Sequence, residues 1–245
     1  MTSTYEDTSP LFTARMAGAL WLIVIIIGGL DVATSSIVVA GDAAATARNI
    51  LNSEFRFRLG EVGEFIGGAC YLGVTVLLYQ LLKPVSKTLS LFAACCGAIG
   101  LAIGAAGTVR DLGAVALLRS GQLPGAADAG QMQGVALSTI KLFGLGFSVS
   151  MVYFGLQVAS VGILIARSSF FPRALGVLAA IGGSIYVIGS LAMMMSPPIG
   201  GQLFRFVIPV AFIGEGSLTL WLLFKGVNVE RWIARANPQP RRVAA

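Results

Sequence analysis

Apolar residues in this chain come in six runs, each too long and too continuous to be one face of a soluble helix. The runs cover residues 13–39, 59–82, 89–118, 138–166, 173–196 and 204–224. Each supplies the roughly 20 residues that a helix needs to cross a hydrocarbon core of ~30 Å. The pattern predicts an all-α fold: a polytopic membrane bundle of six transmembrane helices, residues 13–226. Residues 1–12 and 227–245 read as tails, the second containing Pro and Arg and expected to be disordered. In the first run Arg15 precedes an apolar core from Met16 to Val39, as in a signal peptide. It is longer than the ~7–15 apolar residues of such a core, so a retained helix is expected.

The connections are uneven. Two are short turns, one with Lys83 and Lys87 and one with Arg167 and Arg173. Ser196-Pro197-Pro198 is expected to end the fifth helix, because proline removes a donor and restricts the residue before it. Residues 41–58 read as an extra helix, with Asp42 as N-cap and Ala43, Ala47, Ile50, Leu51 and Phe55 along one face. Thr46, Arg48, Asn49 and Asn52 take much of the other face. That helix fits either the outer head-group level or a loop packed on the bundle. Residues 120–134, rich in Gly, Ala and Gln, read as a loop, and no internal repeat is evident.

Composition sharpens the class. The 245 residues are 56% hydrophobic and only 11% charged, with a mean hydropathy of +0.84. A soluble domain carries about 25% charged residues, so little chain remains for one here. The net charge of +6 does not point to nucleic acid, since the basic residues stand singly near helix ends instead of forming a patch. The lipid bilayer, with its anionic head groups, is the expected partner. Loop charge also orients the chain. The face with both tails holds ten basic residues and three acids, the other seven basic residues and eight acids. Both termini are therefore expected to be cytoplasmic.

The chain has no histidine. The commonest metal ligand and the usual base near neutral pH are both missing, so no metal or cofactor is expected. Acid–base chemistry would rest on carboxylates, lysine, tyrosine or water. Cys70, Cys95 and Cys96 fall inside apolar runs and read as packing residues.

Polar residues inside the runs are the candidate sites. Glu215 lies near the middle of the sixth, about 14–16 Å from its ends at ~1.5 Å per residue. An ionised carboxylate there costs on the order of 3 kcal/mol, so it must be paired, protonated or facing a polar cavity. Glu64 lies roughly 8 Å below the outer surface by the same rise. Asp31, Glu61, Arg110 and Asp111 lie nearer that surface, with Arg56 and Arg58. The arrangement is a funnel, polar outside and narrowing toward Glu215. Gly97, Gly100, Gly104 and Gly107 form a stripe that turns Asp111 toward a neighbouring helix.

Three functions fit these residues. The first is a non-enzymatic membrane module whose outward-facing polar pocket binds a small amphiphile or a partner protein. The second is a proton-coupled carrier that uses Glu215, with Pro209 hinting at a broken helix. The third is an intramembrane enzyme acting on a lipid or isoprenoid, with Glu215 and Glu64 as acid and base.

Five stretches carry a resemblance: ARMAGALWLIVIIIGG from Ala14, GDAAATARNILNSEFRFRLG from Gly41, LLYQLLKPVSKTLSLFAA from Leu77, YFGLQVASVGILIARSSFFPRALGVL from Tyr153 and GEGSLTLWLLFKGVNVERW from Gly214. In that order the chain resembles the bacterial multi-pass membrane family catalogued as domain of unknown function 4386. The resemblance implies a bacterial plasma-membrane protein and adds no activity. It marks Asp42, Glu54, Arg58 and Glu215, which lie in matching stretches, as candidate sites. Members of that family often carry a histidine where this chain has Gln157, which retains hydrogen bonding only.

Overall fold

A computed structural model of the protein describes residues 9–34, 39, 42–121 and 128–237. Among them are eight helices and no strand: α1 (Pro10–Thr34), α2 (Ala43–Asn52), α3 (Glu54–Leu82), α4 (Lys87–Ser120), α5 (Ala129–Arg167), α6 (Arg173–Met195), α7 (Pro197–Phe224) and α8 (Val229–Ala236). Six of them, α1 and α3 to α7, are long and apolar enough to cross a membrane. The expected all-α bundle of six spans is thus the observed fold.

Packing follows chain order. Each span packs against the next, α1 on α3, α3 on α4, and so on to α7, and α7 returns to α1 to close a ring. An even number of spans brings the two ends of the chain to one face. There Leu11 and Ala14 meet the backbone of Gly226. Gly226 has a positive φ of 68°, the left-handed conformation that lets the chain leave α7 without a Cβ clash.

The ends of the elements differ from the sequence reading for local reasons. Pro197 and Pro198 do not sit in a connection but open α7, where a missing N–H costs nothing. Ser196 alone separates α6 from α7, and Gly200 lies against the Met193 backbone. The stretch read as the loop 120–134 already turns helical at Ala129, because the Asp128 carboxylate accepts a hydrogen bond from Gly130 N at 2.9 Å. The remainder of that loop, residues 122–127, lies outside the described residues, as does the end of the first run, 35–38.

Part of the tail expected to be disordered is a docked helix. Asn228 caps α8 by accepting from Arg231 N at 3.0 Å, and the Trp232 indole donates to Leu81 O at 2.9 Å. Asp42 caps α2 as expected, accepting from Ala45 N at 2.8 Å. The helix packs on the bundle, with Ala47 and Ile50 against Ala114, Val115 and Leu118. Thr46, placed on the polar face, is buried because its hydroxyl donates to Val39 O and accepts from Val39 N. Phe55, placed on the apolar face, is 81% exposed because α2 ends at Asn52.

The main core occupies only the half of the ring next to the termini. Leu78, Leu81, Leu164, Leu218 and Leu222 fill it, and Trp21 and Tyr71 form its upper boundary. Beyond that level α3 has no buried residue before Gly67. In α7, Val207 is the one buried side chain described between Gly201 and Ile213.

Candidate functional site

Five helices bring polar and aromatic groups together at that upper boundary. Trp21 (α1), Tyr71 (α3), Phe154 (α5), Tyr186 (α6) and Glu215 (α7) each lie 9–13 residues from the terminal-face end of their helix. At ~1.5 Å per residue that is ~14–20 Å deep, the middle of a hydrocarbon core ~30 Å thick. Glu215 is mid-membrane as read, although α7 starts seven residues earlier than expected and leaves it nearer the C-terminal end of its helix.

The aromatic rings brace one another. Tyr71 meets Trp21 edge-on, with ring centroids 6.1 Å apart, and meets Phe154 edge-on at 5.1 Å. Edge-to-face contacts of this kind add about 0.5–1.5 kcal/mol each and hold the rings in place. The Tyr186 hydroxyl donates to the Glu215 carboxylate. The Trp21 indole N–H is also within reach of it, but the geometry falls short of a good hydrogen bond, and this buried N–H has no other partner. Glu215 itself is half-buried, and a side chain built on the next residue, Gly216, would touch nothing. Among the described residues no lysine or arginine forms an ion pair with Glu215.

One turn closer to the termini, Gln157 is buried and donates from Nε2 to Thr75 Oγ1 at 2.9 Å. The glycine stripe of α4 makes the room. A Cβ on Gly97 would strike the Gln157 amide, and one on Gly100 would crowd the Phe154 ring. Ser150 reinforces this contact by donating to Gly100 O at 2.8 Å. The stripe therefore faces a neighbour at these two positions, whereas Gly104 faces open space.

The outer candidates are not part of this cluster. Glu64 is exposed on α3, seven residues above Tyr71, and so ~10 Å farther out along the helix. Glu61 is half-buried and Asp111 is buried, as the stripe implied. Arg110 lays its guanidinium against Gly146 of α5. Glu61, Glu64, Arg110 and Asp111 all interact with neighbouring groups. The side chain of Asp31 lies outside the described residues.

Arg58 pairs not with Glu61 or Glu64 but with Glu54, at 2.8 Å one turn back. The other Glu54 oxygen accepts from Arg119 Nε at 2.7 Å and ties α3 to the end of α4. Arg119 was not singled out in the sequence, because a single basic residue at a helix end carries no local signal. Nor were Trp21 and Tyr186, which look like ordinary aromatic residues of apolar runs. All three cysteines are free, and no group of three or more Cys, Asp or Glu is gathered for a metal among the described residues.

Fold and site together define a multi-pass helical membrane protein with a carboxylate among aromatic side chains at mid-depth. A family profile described as a domain of unknown function 4386 matches residues 16–226, and the chain belongs to that family. No curated protein and no solved structure matches the chain.

Proposed function

We propose that this protein is a non-enzymatic binding module of a bacterial plasma membrane, with both termini cytoplasmic and an outward-facing polar pocket for a small amphiphile. Glu215 is the floor of that pocket. The observation that carries the reading is the position of Glu215: it lies on top of the packed half of the ring, where the outer halves of α3 and α7 bury almost nothing. Gly28 and Gly60, in those outer halves of α1 and α3, likewise face open space.

A carboxylate flanked by Trp21, Tyr71 and Tyr186 suits an amphiphile with a positively charged head, which gains from both the charge and the aromatic rings. The acid–base pair of the enzymatic reading is disfavoured by the ~10 Å rise between Glu64 and the level of Glu215. Pro209, the feature that favoured a carrier, lies in a helix that runs on through it without a break.

The test is titration of the purified protein with decylamine, decanol and decanoate, read by the fluorescence of Trp21 after Trp221→Phe and Trp232→Phe. Saturable binding of decylamine, lost in Glu215→Gln, is expected. If none of the three binds saturably, the pocket reading fails.

A further inference from the structure

A second surface, remote from Glu215, has the features of a lipid site. Helices α5 and α6 touch backbone to backbone. A Cβ on Gly162 would strike Ala180 N, one on Gly176 would strike Ala166 N, and one on Gly183 would strike Ala159 N. Helices this close, with small residues between them, leave a trough along the outside of their seam. That trough has a volume of about 470 Å³, in the range of sites that hold small organic ligands. Ala166, Ala180 and Ser184 line it between the larger side chains of Ile163, Val177 and Ile181.

One end of the trough is charged. Arg167 closes α5 and Arg173 opens α6, so both stand at the membrane boundary on the terminal face, and both are exposed. The lining holds these two arginines and no acid. Arg231 of α8 reaches the same turn and donates to Ser169 O at 3.2 Å, with Glu230 beside it in the chain. From Arg173 to Ser184 the trough runs eleven residues, ~16 Å, which is the depth of one leaflet.

We infer that this trough binds an anionic phospholipid of the leaflet on the terminal face. The phosphate sits between Arg167 and Arg173, where a guanidinium fork matches its oxygens, and one acyl chain lies in the trough. Charge complementarity selects the head group, and the length of the trough selects a chain over a free anion. This inference is independent of the pocket at Glu215.

Native mass spectrometry of the full chain in detergent tests it, with phosphatidylglycerol, phosphatidylcholine and inorganic phosphate as probes. Two arginines at the head-group level should give phosphatidylglycerol an advantage of roughly thirty-fold over phosphatidylcholine. Arg167→Gln with Arg173→Gln should abolish that preference, and Val177→Trp should weaken retention of both lipids by filling the trough. All three positions are exposed, so the variants keep their packing. Equal retention of the two lipids by the wild type would overturn the inference. So would a preference that survives the double variant, or retention unchanged by Val177→Trp. Displacement of the lipid by inorganic phosphate would reduce the site to a bare anion site and overturn it too.

Discussion

At Glu215, half-buried, and Gln157, fully buried, two polar side chains at mid-depth are held in different ways, and substitutions separate them. The Glu215 carboxylate accepts from Tyr186 and has no cation paired with it among the described residues. Glutamine at that position keeps an acceptor for the tyrosine and removes the cost of a charge in the membrane. Glu215→Gln is therefore expected to stabilise the purified protein, by up to ~3 kcal/mol, while amphiphile binding is lost. Thermal unfolding in a mild detergent reads the first effect, and a lower melting temperature would mean that the carboxylate holds the bundle together. Gln157 is the opposite case, since its amide fills the space left by Gly97 and donates to Thr75. Gln157→Leu should cost about 1–3 kcal/mol, because it removes the amide donor to Thr75 and leaves a buried hydroxyl worse satisfied. Gln157→His, whose ring N–H can still donate, should cost less in the same unfolding measurement. Equal losses in the two variants would show that volume, not the hydrogen bond, matters at this position.

Among the helices, glycine separates contacts that look alike in sequence. The run Gly97, Gly100, Gly104 and Gly107 attracts notice because its members are close together. The tightest seam is instead α5 on α6, where Gly155 and Gly162 face Gly183 and Gly176 at spacings of seven. Spacing of seven keeps residues on one face over two turns, but it is diluted in a chain with 31 glycines. Gly162→Ala drives a methyl into the Ala180 backbone and should cost about 1–3 kcal/mol or more. Gly104→Ala meets nothing within 4 Å and should be neutral, or stabilising by up to ~1 kcal/mol. Expression level and melting temperature of the two variants, compared in one detergent, check the contrast. Similar behaviour of both would mean that the α5–α6 seam relaxes without cost. The legible parts of the elements were those written locally: apolar length gave the spans, and Asp42 gave the cap of α2. Ser196-Pro197-Pro198 ends α6 as expected; what was not legible is that the same two prolines also open α7, seven residues ahead of the run that begins at 204.

For the whole molecule, the prediction of greatest consequence concerns which way the bundle faces. Closure of the ring and the position of the core were not written in the sequence, because the six runs are apolar on most sides and lipid hides the usual amphipathic signal. The charge bias between the two faces was written there, and it carries the orientation. The face with both termini holds ten of the basic residues and three acids, and such a face is expected on the cytoplasmic side. The main core lies next to that face, while away from it α3 and α7 bury little and α2, α4 and α5 share a second, smaller core. Orientation therefore decides whether Glu215 is approached from outside the cell or from the cytoplasm. In a chain with Cys70, Cys95 and Cys96 replaced by alanine, a single cysteine at Arg119 tests one face, and one at Arg235 tests the other. Both native side chains are exposed, and what Arg119→Cys gives up is its surface pair with Glu54, an exposed contact that contributes little to stability. A membrane-impermeant thiol reagent should label the Arg119→Cys variant in intact cells and the Arg235→Cys variant only after the membrane is opened. The reverse pattern would invert the topology, turn the Glu215 pocket toward the cytoplasm and move the lipid trough of α5 and α6 to the outer leaflet.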